Sequence, residues 1–186
     1  MQFGNKGEEM GRSRYKIYEP THPHFVTFII LHWIPIFTNT ESVTIAIKSL
    51  KYLQKSDNLK IYAYVILENH LHLIMQSDDL PKTVQKFKRH TSKHIIALLK
   101  EKNVKTILEQ LAFYKKAHKT NSQFQLWQEG YQPKLIQNDT TMINKIEYIH
   151  HNPIKRGYVE EDWHWRYSSA RDYKGLEGLI EVEKFF

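Results

Sequence analysis

A hairpin pattern in the first half of the chain constrains the fold more than any other feature of the sequence. Residues 59–67 and 71–76 are rich in apolar and β-branched side chains, and a short polar turn through Glu68 and Asn69 separates them. Two such runs joined by so short a turn predict a pair of antiparallel β-strands. The chain should therefore build an antiparallel sheet around this hairpin.

The second strand of the hairpin carries two histidines, His70 and His72. Side chains on a strand alternate between the faces of the sheet, so both imidazoles should point to one face and Leu71 and Leu73 to the other. Two imidazoles side by side can chelate a metal ion, but a third ligand must then come from elsewhere in the chain. Taken alone, this spacing is more often a pair of partly buried, inert histidines.

The elements around the hairpin give the fold class. The patterns predict a strand at 24–30, helices at 40–55, 81–102, 105–118 and 139–151, and a strand or extended arm at 124–136. Thr40 and Asp139 are the expected N-caps, and the last helix should stop before Pro153. The order strand, helix, strand, strand, helix, strand predicts an α+β, ferredoxin-like (split βαβ) antiparallel sheet with helices packed on one face. The other face would be free to bind a ligand.

The chain of 186 residues suits one main domain. We expect a basic N-terminal leader at 1–23, a main domain at 24–160 and a C-terminal tail at 161–186 packed on the same domain. The absence of cysteine excludes disulfides and thiolate metal sites. No apolar run reaches the length of a membrane span, so a soluble, cytoplasmic protein is the expectation.

The charge balance points to an anionic partner. Lysine and arginine number 27 against 20 acidic residues, which gives a formal charge of +7, and 13% of residues are aromatic. A basic, aromatic-rich surface suits nucleic acid, although an evenly spread charge would mean less.

Four basic residues form a stripe along the long helix predicted at 81–102: Lys82, Lys86, Arg89 and Lys93. They recur at steps of four, three and four, which places them on one side of the helix. The alternative is an ordinary solvated face, but no acidic residue interrupts the stripe. We therefore predict that it contacts DNA phosphates.

A second candidate for DNA binding is the stretch that contains Trp127, Tyr131 and Lys134. Unpaired bases could stack on the aromatic rings of such an arm while the lysine contacts a phosphate. A core position for Trp127 is about equally compatible with the sequence.

Tyr148 and Asn152 lie four residues apart near the end of the last predicted helix, and so on one face of it. An asparagine oxygen can bind a metal, and a tyrosine beside a metal can act as a nucleophile. Read alone, such a pair is more often a core aromatic and a helix C-cap.

Together these motifs resemble a known family. The segments YVILENHLHLI, at 64–74, and EYIHHNPIKRGYV, at 147–159, resemble the two motifs of the HUH single-tyrosine transposases of the insertion-sequence-200-like superfamily, and in particular its REP-associated tyrosine transposase branch. The stretches HFVTF, FKRHTSKHI, QLWQEG and WRYSSARDY also look like family blocks, so the resemblance covers roughly residues 14–173.

The resemblance implies a metal-dependent endonuclease and strand transferase that acts on single-stranded or hairpin DNA through a covalent 5′-phosphotyrosine. It implies that Tyr148 is the nucleophile and that His70, His72 and Asn152 bind the metal. Many insertion-sequence members have a glutamine in place of Asn152. The ion would be Mg²⁺ or Mn²⁺, with Ni²⁺ or Zn²⁺ acceptable to the same ligands in a purified sample. Relatives act as monomers or as homodimers that exchange the tyrosine helix.

Two other functions fit parts of the sequence. A non-catalytic single-stranded nucleic-acid-binding module of ferredoxin-like fold would use exposed aromatics and would need none of the four motif residues. A metal-dependent hydrolase would use activated water instead of Tyr148.

Overall fold

A computed structural model describes residues 19, 21–130 and 133–186. Most of the predicted leader at 1–23 and the predicted stacking residue Tyr131 lie outside this part of the chain. The division into leader, main domain and tail therefore stays a prediction.

The described chain forms a four-stranded antiparallel sheet in the order β2-β3-β1-β4. The elements are β1 (His24–Ile29), α1 (Thr40–Ser56), β2 (Lys60–Ile66), β3 (His70–Gln76), α2 (Leu80–Glu101), α3 (Lys105–Phe113), β4 (Lys134–Leu135), α4 (Asp139–Lys155) and α5 (Ala170–Tyr173). This order confirms the predicted α+β, ferredoxin-like arrangement. The predicted hairpin is β2 and β3, with residues 67–69 as its turn.

One face of the sheet is a continuous apolar core under α1 and α2. On the sheet side, Leu71, Leu73 and Met75 of β3 belong to it, and α1 contributes Leu50 and Leu53. The buried stripe of α2 completes the core: Val84, Phe87, Ile95 and Leu99. Full burial of each such side chain contributes roughly 1.5–3 kcal/mol, which makes this layer the main source of stability.

The opposite face of the sheet is also covered, in part, by α4. Met142, Ile146 and Ile149 of α4 pack against a second apolar cluster that includes Val65 and Ile74. The prediction of helices on one face therefore applies to α1 and α2 but not to α4. The reason is that β2 is apolar on both faces, so its second face also gains from being covered.

The helix ends differ from the predicted ones. Asn39 caps α1, with its side chain accepting hydrogen bonds from two backbone amides, and Thr40 is the first helical residue. Asn138 caps α4, and its side chain accepts a hydrogen bond from the Thr141 amide. The helix α4 does not stop before Pro153 but continues to Lys155.

Two local features mark the end of α4. The backbone N–H that Pro153 lacks is the one that would donate to the Ile149 carbonyl, and the Asn152 side-chain amide donates to the neighbouring Tyr148 carbonyl at 2.7 Å. Gly157, two residues beyond the end of the helix, has a φ of +71°, the left-handed conformation that glycine adopts without strain. This geometry places Asn152 inside the helix and not at its cap.

The tail packs along the free edge of β2. The Ile66 amide donates to the Tyr167 carbonyl at 2.8 Å, and the Glu183 amide donates to the Ile61 carbonyl at 2.9 Å. Ser168 forms an antiparallel bridge with Val65. These bonds protect a sheet edge that would otherwise expose unpaired backbone groups. Among the described helices, none is both long enough and apolar enough to cross a membrane.

Candidate active site

The two sequence motifs meet at an open pocket of about 420 Å³ on the α4 side of the sheet. The sheet contributes Thr27, His70 and His72, and the segment after β1 contributes Trp33. The rest of the lining comes from the end of α4: Tyr148, Asn152, Lys155 and Arg156. All eight residues belong to one chain.

The two histidine rings are oriented by hydrogen bonds from behind. His70 Nδ1 lies 2.7 Å from Asn69 Oδ1, and His72 Nδ1 lies 2.8 Å from Thr27 Oγ1. The ring centroids are 4.8 Å apart. Because Nδ1 of each ring is engaged, Nε2 is the nitrogen that remains for a ligand, an arrangement that metal-binding histidines commonly share. The asparagine oxygen requires the Nδ1–H tautomer of His70, which leaves a lone pair on Nε2.

Burial keeps both rings neutral. Desolvation lowers the pKa of His70 to about 4, with a smaller contribution in the same direction from Arg156. Desolvation, assisted by His70, lowers the pKa of His72 to about 3. Neutral imidazole is the form that binds a metal, so the two rings are ready ligands at neutral pH.

Tyr148 stands next to the histidines and stays accessible. Its ring centroid lies 5.4 Å from that of His72, and the side chain is 44% exposed. The ring also packs edge-on against Phe25 at 5.9 Å, which holds it over the sheet. Lys145, one turn earlier in α4, places Nζ 5.3 Å from the Tyr148 ring centroid. The pocket thus combines a phenol, two imidazoles and a nearby cation.

Asn152 completes a possible donor set. Its Nδ2 is used by the Tyr148 carbonyl, so Oδ1 is the polar atom that remains for the pocket. Within the described residues, no three His, Asp or Glu side chains come together as a metal site. Two imidazole nitrogens and an amide oxygen are nevertheless acceptable ligands for Mn²⁺, Ni²⁺ or Zn²⁺, and the oxygen suits Mg²⁺. The residues present therefore fit a divalent ion with open coordination positions.

Sequence patterns did not predict several residues that line the pocket or lie beside it. Arg156 donates to the Glu68 carboxylate and so ties the end of α4 to the hairpin turn. Thr27 could have been found from the sheet register, since it lies opposite His72. Lys145 and Lys155 lie three residues from Tyr148 and Asn152 respectively, and so on their helix face. The exposed Trp33 gave no periodic signal.

The predicted basic stripe of α2 lies away from the pocket. Lys82, Lys86, Arg89 and Lys93 are exposed on the outer side of α2, and α2 covers the face of the sheet opposite to His70 and His72. Lys86 is also paired with Asp57. The structure does not bring this stripe together with the pocket, and its contact with DNA stays a prediction.

Lys134 lies on the pocket side of the sheet. It is exposed in β4 and directly opposite Phe25 in β1, and cross-strand neighbours project from the same face. Phe25 stacks on His72 with ring centroids 5.4 Å apart. Lys134 thus stays a candidate for DNA contact on the correct face.

The prediction that Trp127 stacks on DNA bases is wrong. The indole is only 5% exposed, and its Nε1 donates to Thr91 Oγ1 at 2.9 Å. Its ring packs between Phe28, Phe37 and Phe87 in the main core. A side chain enclosed in this way has no face for a base, and the core position left open by the sequence is the correct one.

No protein-family model matches the chain, but a curated protein and a solved structure are similar to it. A curated protein of Haemophilus influenzae, named as a REP-associated tyrosine transposase, is 33% identical over 113 residues. The chain is similar to the REP-associated tyrosine transposases. The match spans 60% of this chain and 60% of the relative.

A solved structure of a REP-associated tyrosine transposase bound to a REP hairpin is also similar to the chain. It superposes with a TM-score of 0.63 at 17% identity, over 95% of this chain and 94% of that one. At this identity the likeness shows the fold. The family resemblance and the fold class predicted from the motifs are both confirmed.

Proposed function

We propose that this chain is a metal-dependent single-stranded DNA endonuclease and strand transferase, a transposase of the HUH single-tyrosine kind. The observation that carries the proposal is the meeting of Tyr148 with His72, at 5.4 Å between ring centroids, in a pocket that Asn152 also lines. A binding module would need neither the oriented imidazoles nor the adjacent phenol. Hairpin DNA is the proposed partner because the solved relative is described as bound to a REP hairpin.

His70, His72 and Asn152 would hold the divalent ion, Mg²⁺ or Mn²⁺. When bound, such an ion would supply Lewis-acid polarisation of the phosphoryl oxygens. The hydrogen bonds of His70 with Asn69 and of His72 with Thr27 fix the two rings so that they need not reorganise on binding.

Tyr148 is the proposed nucleophile. Its Oη attacks the scissile phosphorus; the new Oη–P bond forms as the bond from phosphorus to the 3′-oxygen breaks. The phenol loses its proton, and the departing 3′-oxygen gains one to become a free 3′-hydroxyl. The 5′-phosphate stays joined to the protein. Because the phosphotyrosine preserves a phosphodiester, a second 3′-hydroxyl can reverse the step and join a new strand without ATP.

The cations around the pocket would bind the DNA backbone. Lys155 and Arg156 line the pocket, and Lys145 lies beside Tyr148. Charges of this kind stabilise the negative phosphoryl group as charge develops on its oxygens. Glu68 orients Arg156 and tempers its charge, so we expect Lys145 and Lys155 to carry more of the phosphate affinity.

The test is a covalent-trapping assay with Mn²⁺ and hairpin DNA that has unpaired flanks, labelled at its 3′ end. The wild-type protein should form a denaturant-resistant protein–DNA adduct. Tyr148→Phe should form none while binding the DNA within about twofold of wild type. A matched control is Tyr158→Phe, because Tyr158 is also 44% exposed but does not line the pocket. This variant should retain the adduct.

Three results would contradict the proposal. An adduct formed by Tyr148→Phe would mean that another residue is the nucleophile. Repeated turnover without any trapped adduct would indicate a metal-dependent hydrolase. Binding that survives EDTA, with no cleavage under any metal, would indicate a non-catalytic binding module.

A further inference from the structure

The backbone just after β1 adopts an unusual conformation at the edge of the pocket. His32 and Trp33 are consecutive residues with φ of 55° and 59°, in the left-handed region that side chains with a Cβ disfavour. Two hydrogen bonds hold the turn: the Trp33 amide donates to the Ile30 carbonyl at 2.9 Å, and Asn69 Nδ2 donates to the Trp33 carbonyl at 3.2 Å. Strained backbone of this kind is concentrated at functional sites.

The turn and the end of α3 carry four exposed rings, of which Trp33 lines the pocket. Trp33 lines the pocket, is 49% exposed and meets His70 edge-on at 5.4 Å. His32 stacks on Tyr114 with centroids only 3.8 Å apart and planes 11° apart. Tyr114 in turn meets Phe113, which is 81% exposed. We call Trp33, His32, Tyr114 and Phe113 the aromatic row.

Positive charge lies at both ends of the aromatic row. At the pocket end are Lys155 and Arg156. At the far end the chain runs directly from Tyr114 into Lys115 and Lys116, and Lys116 is exposed. Rings interleaved with cations suit a strand that offers both base faces and phosphates. An exposed aromatic surface with this charge is poorly suited to an apolar protein partner.

We propose that the aromatic row binds the unpaired nucleotides next to the scissile phosphate, with Trp33 stacking on the base nearest the pocket and the His32–Tyr114 pair and Phe113 extending the platform. This inference rests on the proposed function, because it assigns part of the substrate of the same site. The occupant is unpaired DNA, since the bases of a duplex already stack on each other and offer no free face. The left-handed turn leaves the side chains of both His32 and Trp33 exposed, with Trp33 at the pocket and His32 on Tyr114.

The experiment measures binding and not cleavage, in the Tyr148→Phe background, by fluorescence anisotropy. One probe is a hairpin with six unpaired nucleotides on either its 5′ or its 3′ side, and the other is the same hairpin without a flank. Trp33→Ala should weaken binding of one flanked hairpin about tenfold and leave the flankless hairpin within twofold. Trp33→Phe should recover most of the affinity. The matched control is Tyr52→Ala, an exposed aromatic on α1, on the other side of the sheet, which should change neither.

A second variant and a second signal guard against misfolding. Tyr114 lies at the C-terminal end of α3, on a different element from Trp33. Because the row extends beyond Trp33, Tyr114→Ala should weaken binding of the same flanked hairpin about threefold or more. Thermal unfolding of each variant checks the fold. The fluorescence of a 2-aminopurine base placed in the flank should be quenched when the Tyr148→Phe parent binds. The quenching should be lost when the protein also carries Trp33→Ala.

The inference is overturned if Trp33→Ala and Tyr114→Ala bind the flanked hairpins as tightly as their parent. It is also overturned if both weaken the flankless hairpin equally, since the rings would then contact the duplex. Either result can occur while the wild-type protein still forms its adduct, which would leave the proposed function intact. Conversely, if the wild-type protein forms no adduct while Trp33→Ala still weakens binding of the flanked hairpin, that result would reject the proposed cleavage chemistry and support the aromatic row as a binding site for unpaired DNA.

Discussion

The two faces of strand β3 have different surroundings: one lies in the main core and the other lines the pocket. Leu71, Leu73 and Met75 point into an apolar layer that α1 and α2 cover completely. Their alternate neighbours His70 and His72 point to the other face, where α4 covers only part of the sheet and leaves an open pocket. The difference separates the apolar layer that contributes most to stability from the face that holds the candidate site. The first layer is closed and apolar, while the second keeps polar side chains beside an open pocket.

The partial cover also explains the state of the histidines. A fully open face would solvate the rings and restore an ordinary pKa, and a fully closed one would deny access to DNA. Here the rings are buried enough for desolvation to hold the pKa of each well below its usual range. The accessible Tyr148 stands beside them at the rim.

The largest expected effect comes from removing His70 and His72, the proposed metal ligands on the pocket face. The His70→Ala, His72→Ala double variant should lose Mn²⁺-dependent cleavage by at least about a thousandfold, because the ion is worth several kcal/mol to the transition state. Isothermal titration on the folded protein should show loss of Mn²⁺ binding, and thermal unfolding should show the lower stability expected when two buried, hydrogen-bonded rings are removed. The control is His90→Ala, His94→Ala, an exposed pair on α2. Equal cleavage by the two double variants would refute the assignment of the metal site.

The matching change on the closed face should act on stability. Leu73 is completely buried in the main core, so Leu73→Ala should lower the free energy of unfolding by about 2–5 kcal/mol in urea titrations. Its Mn²⁺ affinity, measured on the folded fraction, should stay within about threefold. Leu176→Ala, at an exposed site, should cost less than about 0.5 kcal/mol. A Leu73→Ala protein of normal stability without metal binding would show that the faces are not separate.

Acid should destabilise the metal-free protein through the pocket face. The folded-state pKa of His70 is about 4 and that of His72 about 3, both below the ordinary value near 6.5. The unfolded chain therefore binds more protons below pH 6.5, and stability is full above that pH and falls as pH decreases. Each ring should cost on the order of 1–2 kcal/mol by pH 5.

Urea titrations in EDTA at pH 7 and pH 5 measure this loss. The double variant His70→Ala, His72→Ala should lose less stability than wild type over the same interval. Part of the loss should remain, because burial also lowers the pKa of His150 to about 4. Parallel losses in the two proteins would mean that His70 and His72 are not buried neutral rings.

The smallest effect is expected on α2, which covers the face of the sheet opposite to the pocket. Replacing Lys82, Arg89 and Lys93 of α2 by alanine should weaken hairpin binding about two- to fivefold, because these side chains lie on the side of the molecule away from the pocket. The slope of log affinity against log salt should fall by less than the value of about 2.7 expected if all three contacted phosphates. Lys145→Ala, beside Tyr148, is the comparison and should have the larger effect. The reverse order would place the DNA path across α2.

Sequence reasoning succeeded where a strict period decides the outcome. The hairpin and the common face of His70 and His72 follow from strand alternation, and the sheet order follows from the order of the elements. It failed for Trp127, which lies in an irregular stretch where no period indicates a face. A single bridge to Ile30 and the bond to Thr91 draw this indole into the core. Such contacts between distant residues leave no local pattern.

The end of α4 was mispredicted for a related reason. A proline usually ends a helix, but here α4 continues through Pro153 to Lys155, although the Ile149 carbonyl loses its intrahelical donor. The extra turn is what brings Lys155 and Arg156 to the pocket. The Glu68–Arg156 pair, which joins residues 88 positions apart, was likewise beyond any local pattern.

The central claim is that the histidines and Tyr148 of one chain act together on one phosphodiester, and a complementation assay tests it most directly. Tyr148→Phe is mixed with the His70→Ala, His72→Ala variant, which bears a size tag, and adducts are resolved by mass. We predict that neither variant alone nor the mixture forms an adduct, while wild type carried through the same mixing does. An adduct on the tagged, histidine-deficient chain in the mixture would show that the site is shared between chains and would contradict this account.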